Sequence, residues 1–166
     1  MTVATAKPIL IGGQWVQTSS AEPVRNPYSN DVVAMVCQAE PEHIHQVTNS
    51  SKRVSAACAG IPAHARAKAL LHIAAGLSTR REMFAATICQ EAGKPITDAR
   101  REVDRAIQTF RLAAEESTRI PGEIIPMDLA PGGEAYSGSV QRFPIGTVLG
   151  ITPFNFPLNL VAHKGT

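Results

Sequence analysis

From Ile96 to Ala113 the chain places Ile96, Ala99, Val103, Ala106, Ile107, Phe110 and Ala113 at intervals of three and four. That spacing gathers them on one stripe of an α-helix and leaves the charged residues to the other faces. A long helix with so continuous an apolar stripe has to dock on other elements, so it predicts a layer of packed helices around it. The preceding residues supply that layer. Between about 41 and 118, successive helices are separated by Gly60 then Pro62 and by Gly93 then Pro95, each a helix stop followed by a helix start. Pro41 opens the first helix, and Thr79 with Glu82 predicts a capping box at a third boundary.

Strand signals lie on both sides of this helical block. Leu10 and Ile11, the pair Gly12 and Gly13, and then Trp15 and Val16 predict a hairpin, because glycines accept the positive φ of a tight turn. After the turn-rich Asn26 to Asp31, the β-branched Val32 and Val33 with Val36 predict another strand. Beyond the helices, Pro121 to Gly138 is rich in Pro and Gly, and strands are expected again at Ser139 to Phe143 and Thr147 to Ile151.

Composition excludes several function classes. In 166 residues, 44% hydrophobic and 18% charged residues describe an ordinary globular chain, neither disordered nor membrane-spanning. The formal charge of +2 comes from scattered Lys and Arg. The pairs Arg80–Arg81 and Arg100–Arg101 have acidic neighbours in helical patterns, which describes solvated faces and no nucleic-acid partner. The N-terminus has no basic start followed by a long apolar core, so a cytoplasmic protein with no membrane partner is expected. Cys37, Cys58 and Cys89 are odd in number and widely spaced, which argues against disulfides and zinc and predicts buried structural thiols.

No metal site is expected either. His43 and His45, two apart in a helix, face different directions, and His64, His72 and His163 lack partners at ligand spacing. Gly146 and Gly150 do not make a G-x-G-x-x-G loop, and Gly93–Lys94 lacks the rest of a P-loop, so a helix break and a surface lysine account for that pair. Glu91 and Glu102 sit in helical patterns and read as solvated or capping carboxylates.

The chemistry concentrates in LGITPFNFPLNL, Leu149 to Leu160. A β-branched apolar run ends in two Pro-aromatic elements that flank Asn155. A rigid turn that aims one amide is what an oxyanion site needs. The same residues also describe a strand stopped by Pro153 and Pro157, with Asn155 bonding its own backbone.

ILIGGQWV (Ile9 to Val16), EAGKPITDARREV (Glu91 to Val103) and RFPIGTVLGITPFNFPLNLVAHK (Arg142 to Lys164), in this order and spacing, resemble the N-terminal part of the NAD(P)-dependent aldehyde dehydrogenase superfamily. The resemblance implies an α/β fold in three parts. Residues 1–125 would form the hairpin and helical layer of a cofactor-binding domain, and 126–144 the oligomerisation arm strands. Residues 145–166 would form the first strand of a Rossmann-like parallel sheet, the Asn motif and the start of a truncated helix. It further implies an N-terminal fragment of an enzyme that oxidises an aldehyde to a carboxylic acid with NAD or NADP, through a Cys thiohemiacetal and thioester.

Asn155 would then be the oxyanion donor. Ile151, Thr152, Pro153 and Phe154 would line the cofactor pocket, incomplete in this chain, and Phe156 and Leu160 would face the aldehyde, although both also fit an ordinary core. None of the three Cys matches the family's nucleophile motif, and the hydrolytic base is also expected downstream, so the chain alone is expected to be inactive. A homo-oligomer would form through the strand near 136–143. The alternatives are a CoA-acylating parent enzyme and a non-catalytic folding or assembly piece.

Overall fold

The computed structural model describes residues 6–166. In chain order the elements are β1 (Ile9–Ile11), β2 (Gln14–Val16), β3 (Ala21–Arg25), β4 (Val32–Cys37), α1 (Pro41–Ala59), α2 (Ala63–Thr79), α3 (Arg81–Ala92), α4 (Ile96–Ser117), β5 (Glu123–Pro126), β6 (Ser137–Val140) and α5 (Asn159–Ala162). Among the described residues the strands form three antiparallel pairs, β1–β2, β3–β4 and β5–β6.

The β1–β2 turn takes Gly12 at φ 55° and Gly13 at φ 83°, the left-handed pair that a two-residue hairpin turn demands. Strand β4 falls on the expected valines, but its partner β3 was not anticipated. Pro23 argues against a ladder strand, yet β3 has only one neighbour and Pro23 sits opposite Met35 on that two-stranded ribbon. Asn26 closes the connection by accepting the backbone N–H groups of Tyr28 and Ser29 at 2.9 and 3.2 Å.

Helix α4 is the organising element, packed on α2, α3 and α5. Ala99, Val103, Ala106, Ile107 and Phe110 of its stripe are buried and meet Ala74 and Leu77 of α2, Ala85 and Ile88 of α3, and Ala162 of α5. The stripe ends slightly off its expected line, because Ala113 is half-buried and Ala114 takes the buried place. Both breaker pairs act as expected, with Gly60 and Gly93 as C-caps and Pro62 and Pro95 one residue ahead of the next helix. Gly93 is left-handed at φ 66°, and a Cβ there would stand 2.6 Å from Cγ of Pro27.

Several expectations are corrected. Thr79 and Glu82 form no capping box: the Thr79 hydroxyl donates to Ala75 O at 3.0 Å, while Glu82 accepts from Arg81 and Arg100. The capping box lies at α1, where Glu40 and His43 satisfy each other's backbone N–H. Thr147 to Ile151 is not a strand. Its residues are apolar, but a strand exists only with a partner for its backbone groups, and the segment 141–153 runs outside every ladder. In the region of the arm strands expected at 126–144 the structure has the pair β5–β6, with β5 at Glu123–Pro126, and the strand expected at Ser139 to Phe143 runs instead over Ser137–Val140, where pairing stops. The thiols are not uniformly buried: Cys37 is, Cys89 is half-buried, and Cys58 is exposed near the end of α1.

Candidate functional site

The Asn motif forms a turn between the extended segment and α5. Ile151, Pro153, Phe154 and Asn155 are exposed, while Thr152, Phe156 and Leu160 are half-buried. Phe154 is 92% exposed and Ile151 78%, so the residues expected at a cofactor pocket present an open apolar strip. Pro153 and Pro157 each fix one φ on either side of Asn155, which limits how the turn can bend. Gly150 lets the extended segment pass close to α5, since a Cβ there would lie 3.2 Å from Cβ of Lys164.

What holds the turn is a residue read from sequence as solvated. Glu102 is only 1% exposed. Its Oε1 accepts the backbone N–H of Leu158 at 2.9 Å and of Asn159 at 3.2 Å. Its Oε2 accepts from Lys94 Nζ at 2.5 Å. A helix begins with N–H groups that lack intrahelical partners, and a carboxylate supplied from α4 satisfies two of them for α5. Lys94 is therefore not a surface lysine. Its side chain is 18% exposed, and its Nζ lies 3.7 Å from the centre of the Phe156 ring. The sequence signal was present in the helix pattern, because Glu102 directly precedes Val103 and lies three residues after Ala99, next to the apolar stripe. Its partners 56 and 57 residues away were not readable from that spacing.

Asn159 is the second unanticipated residue. It is 2% exposed, and its Oδ1 is buried without a hydrogen-bond partner.

A cleft of about 360 Å³ opens beside Phe156, lined by Lys94, Asp98, Arg101, Glu102, Arg105 and Phe156. Arg101 reaches Asp98 at 3.3 Å, and Lys94 is held by Glu102. The Arg105 guanidinium lies 5.7 Å from the centre of the Phe156 ring. With Lys94 and Arg101 each paired to a carboxylate of the same lining, the cleft offers the Arg105 guanidinium beside a half-buried aromatic ring, one positive charge for an acidic group to meet. The cysteines have other settings: Cys37 donates to Gln17 Oε1 at 3.0 Å, Cys58 lies in α1 and Cys89 in α3.

A model of the aldehyde dehydrogenase family matches residues 15–166. The chain belongs to that family. It is 42% identical over 144 residues to aspartate-semialdehyde dehydrogenase 1 of Pseudomonas canavaninivorans, an alignment covering 85% of this chain and 30% of that protein. Its fold matches aldehyde dehydrogenase 21 of Physcomitrella patens, solved with the reaction product succinate, at a TM-score of 0.92 and 42% identity, over 97% of this chain and 34% of that one. It also matches the NADP-dependent glyceraldehyde-3-phosphate dehydrogenase of Bacillus halodurans, solved with NADP, at a TM-score of 0.90 and 31% identity, over 96% and 34% of the two chains. The chain thus spans about a third of the length of these relatives.

Proposed function

We propose that this chain supplies the oxyanion donor and part of the cofactor wall for NAD(P)-dependent oxidation of an aldehyde that carries an acidic group. The observation that carries the reading is the exposed amide of Asn155, set between two prolines on a turn that a buried carboxylate anchors. When a nucleophile adds to an aldehyde, the carbonyl oxygen gains negative charge, and a preoriented amide N–H stabilises it. Asn155 donates that hydrogen bond. The thiolate that attacks is proposed to come from outside these residues, because none of Cys37, Cys58 and Cys89 stands in the family's nucleophile motif.

The exposed apolar strip of Ile151 and Phe154, with Thr152 and Pro153 between them, fits one face of a flat nicotinamide ring. The dinucleotide, when bound, supplies the hydride acceptor. Phe156 walls the aldehyde and Arg105 faces its acidic group, both lining the cleft, while half-buried Leu160, outside that lining, is proposed to bound the aldehyde from α5. Among the relatives named above, one acts on aspartate semialdehyde, one was solved with its product succinate and one acts on glyceraldehyde 3-phosphate, all carrying carboxylate or phosphate. Lactaldehyde and benzaldehyde dehydrogenases that also match act on uncharged aldehydes, so the acidic-substrate reading rests on Arg105.

The test is oxidation of paired aldehydes, one carrying a carboxylate and one neutral, by a longer enzyme that holds these residues together with the attacking thiolate, followed by NAD(P)H absorbance. Asn155→Ala is expected to lower kcat by roughly a hundredfold to a thousandfold on both substrates. Arg105→Gln is expected to raise KM for the acidic aldehyde alone. Unchanged turnover in Asn155→Ala would sink the proposal. A non-catalytic assembly role is the second reading, favoured by the exposed apolar side chains of Phe143, Ile145, Val148 and Leu149.

A further inference from the structure

The carboxylate of Glu102 is buried almost completely, which is an expensive way to join two helices. A leucine at that place would pack α4 against α5 without a desolvation cost. The cost makes sense if the carboxylate fixes something that packing cannot. From the geometry we infer that Glu102 is a positioning residue: neutralised by Lys94, it grips the Leu158 and Asn159 N–H groups and thereby sets the direction of the Asn155 amide.

The chain of constraint is short. Between Asn155 and the gripped Leu158 stand only Phe156 and Pro157, and Pro157 has its φ fixed by its ring. Leu160 N–H closes back on Phe156 O at 3.1 Å, so the backbone of the turn is held at Phe156 as well. Lys94 Nζ, 3.7 Å from the Phe156 ring centre, pins the side chain next to Asn155 from the same ion pair. One ion pair, buried at its carboxylate, therefore controls both the backbone and the neighbouring ring of the donor. The inference rests on the reading of Asn155 as oxyanion donor, but its own test does not need turnover.

That test is residue-resolved amide hydrogen exchange by NMR on the full chain, with Asn155 side-chain amide signals followed in parallel, for Glu102→Ala, Glu102→Gln and Lys94→Met. In Glu102→Ala the Leu158 and Asn159 amides should exchange roughly tenfold to a hundredfold faster, while Val103, Ala106 and Phe110 in α4 keep their protection. Glu102→Gln retains an acceptor oxygen and should restore part of the protection and part of the Asn155 signal position. Lys94→Met should shift the Phe156 ring and Asn155 resonances together. Uniform loss of protection through α2 and α4, or an Asn155 signal indifferent to all three changes, would overturn the inference. Should Glu102→Ala not fold, Glu102→Gln and Lys94→Met give the same reading. Aldehyde oxidation retained by Asn155→Ala in a longer enzyme that holds the thiolate, with loosening still confined to the turn, would instead remove the proposed function and leave the anchor standing.

Discussion

Glu102 and Gly93 show how much depends on single positions outside the conspicuous motif. Glu102 joins α4 to the Asn turn, and Gly93 lets the chain leave α3 so that Lys94 can reach that carboxylate. At φ 66° a residue with a Cβ is strained by about 1–2 kcal/mol, and here the added atom would also press on Pro27 at 2.6 Å. Gly93→Ala should therefore destabilise the chain by about 1–3 kcal/mol, read as a lower urea midpoint with an unchanged slope. Of this pair, Gly93 was legible in the sequence as a helix stop. The burial of Glu102 was not, because a carboxylate in a helix is solvated unless a distant segment brings it donors.

At the scale of elements, α3 and α4 are joined on their exposed side by charges. Arg81 binds Asp104 with two hydrogen bonds of 2.7 Å, and Glu82 accepts from both Arg81 and Arg100. The hydrogen bond from Arg100 holds the Glu82 carboxyl below its ordinary range, and the one from Arg81 does the same for Asp104. A depressed carboxylate contributes stability that is fully present above its unfolded value and is lost as pH falls through the folded one. Thermal unfolding should thus be insensitive to these groups near neutral pH and should decline as acid passes below the usual carboxylate range. The decline should shrink in Arg81→Met with Arg100→Met, and shrink also in high salt, since these pairs face solvent. The element pattern itself was largely readable: the stripe of α4 and the breakers at Gly60–Pro62 and Gly93–Pro95 are local. The misplaced capping box at Thr79 and Glu82 shows the limit, because the arginines of α3 and α4 compete for Glu82.

The whole molecule exposes 11864 Å², where a compact monomer of this mass exposes about 8,000 Å². Much of the excess is apolar: Phe143 is 79% exposed, Ile145 92%, Leu149 83% and Phe154 92%. The β5–β6 hairpin adds unpaired edges beside this segment. Self-association of the 166-residue chain at micromolar concentration is the expected outcome, and size-exclusion chromatography with light scattering checks it. A lone monomer peak with native-like helix content would count against it.

The sequence by itself determined the family, the helical layer, the first hairpin and the position of the Asn turn, because periodicity, breakers and a short motif are properties of neighbouring residues. Tertiary structure alone decided that Glu102 is buried and gripping, that Lys94 covers Phe156, and that Thr147 to Ile151 is not a strand. The reason is common to all three. Hydrogen-bond donors for a carboxylate, an aromatic face for a cation and a ladder partner for a strand each come from segments distant in the chain, and no local pattern encodes whether they arrive.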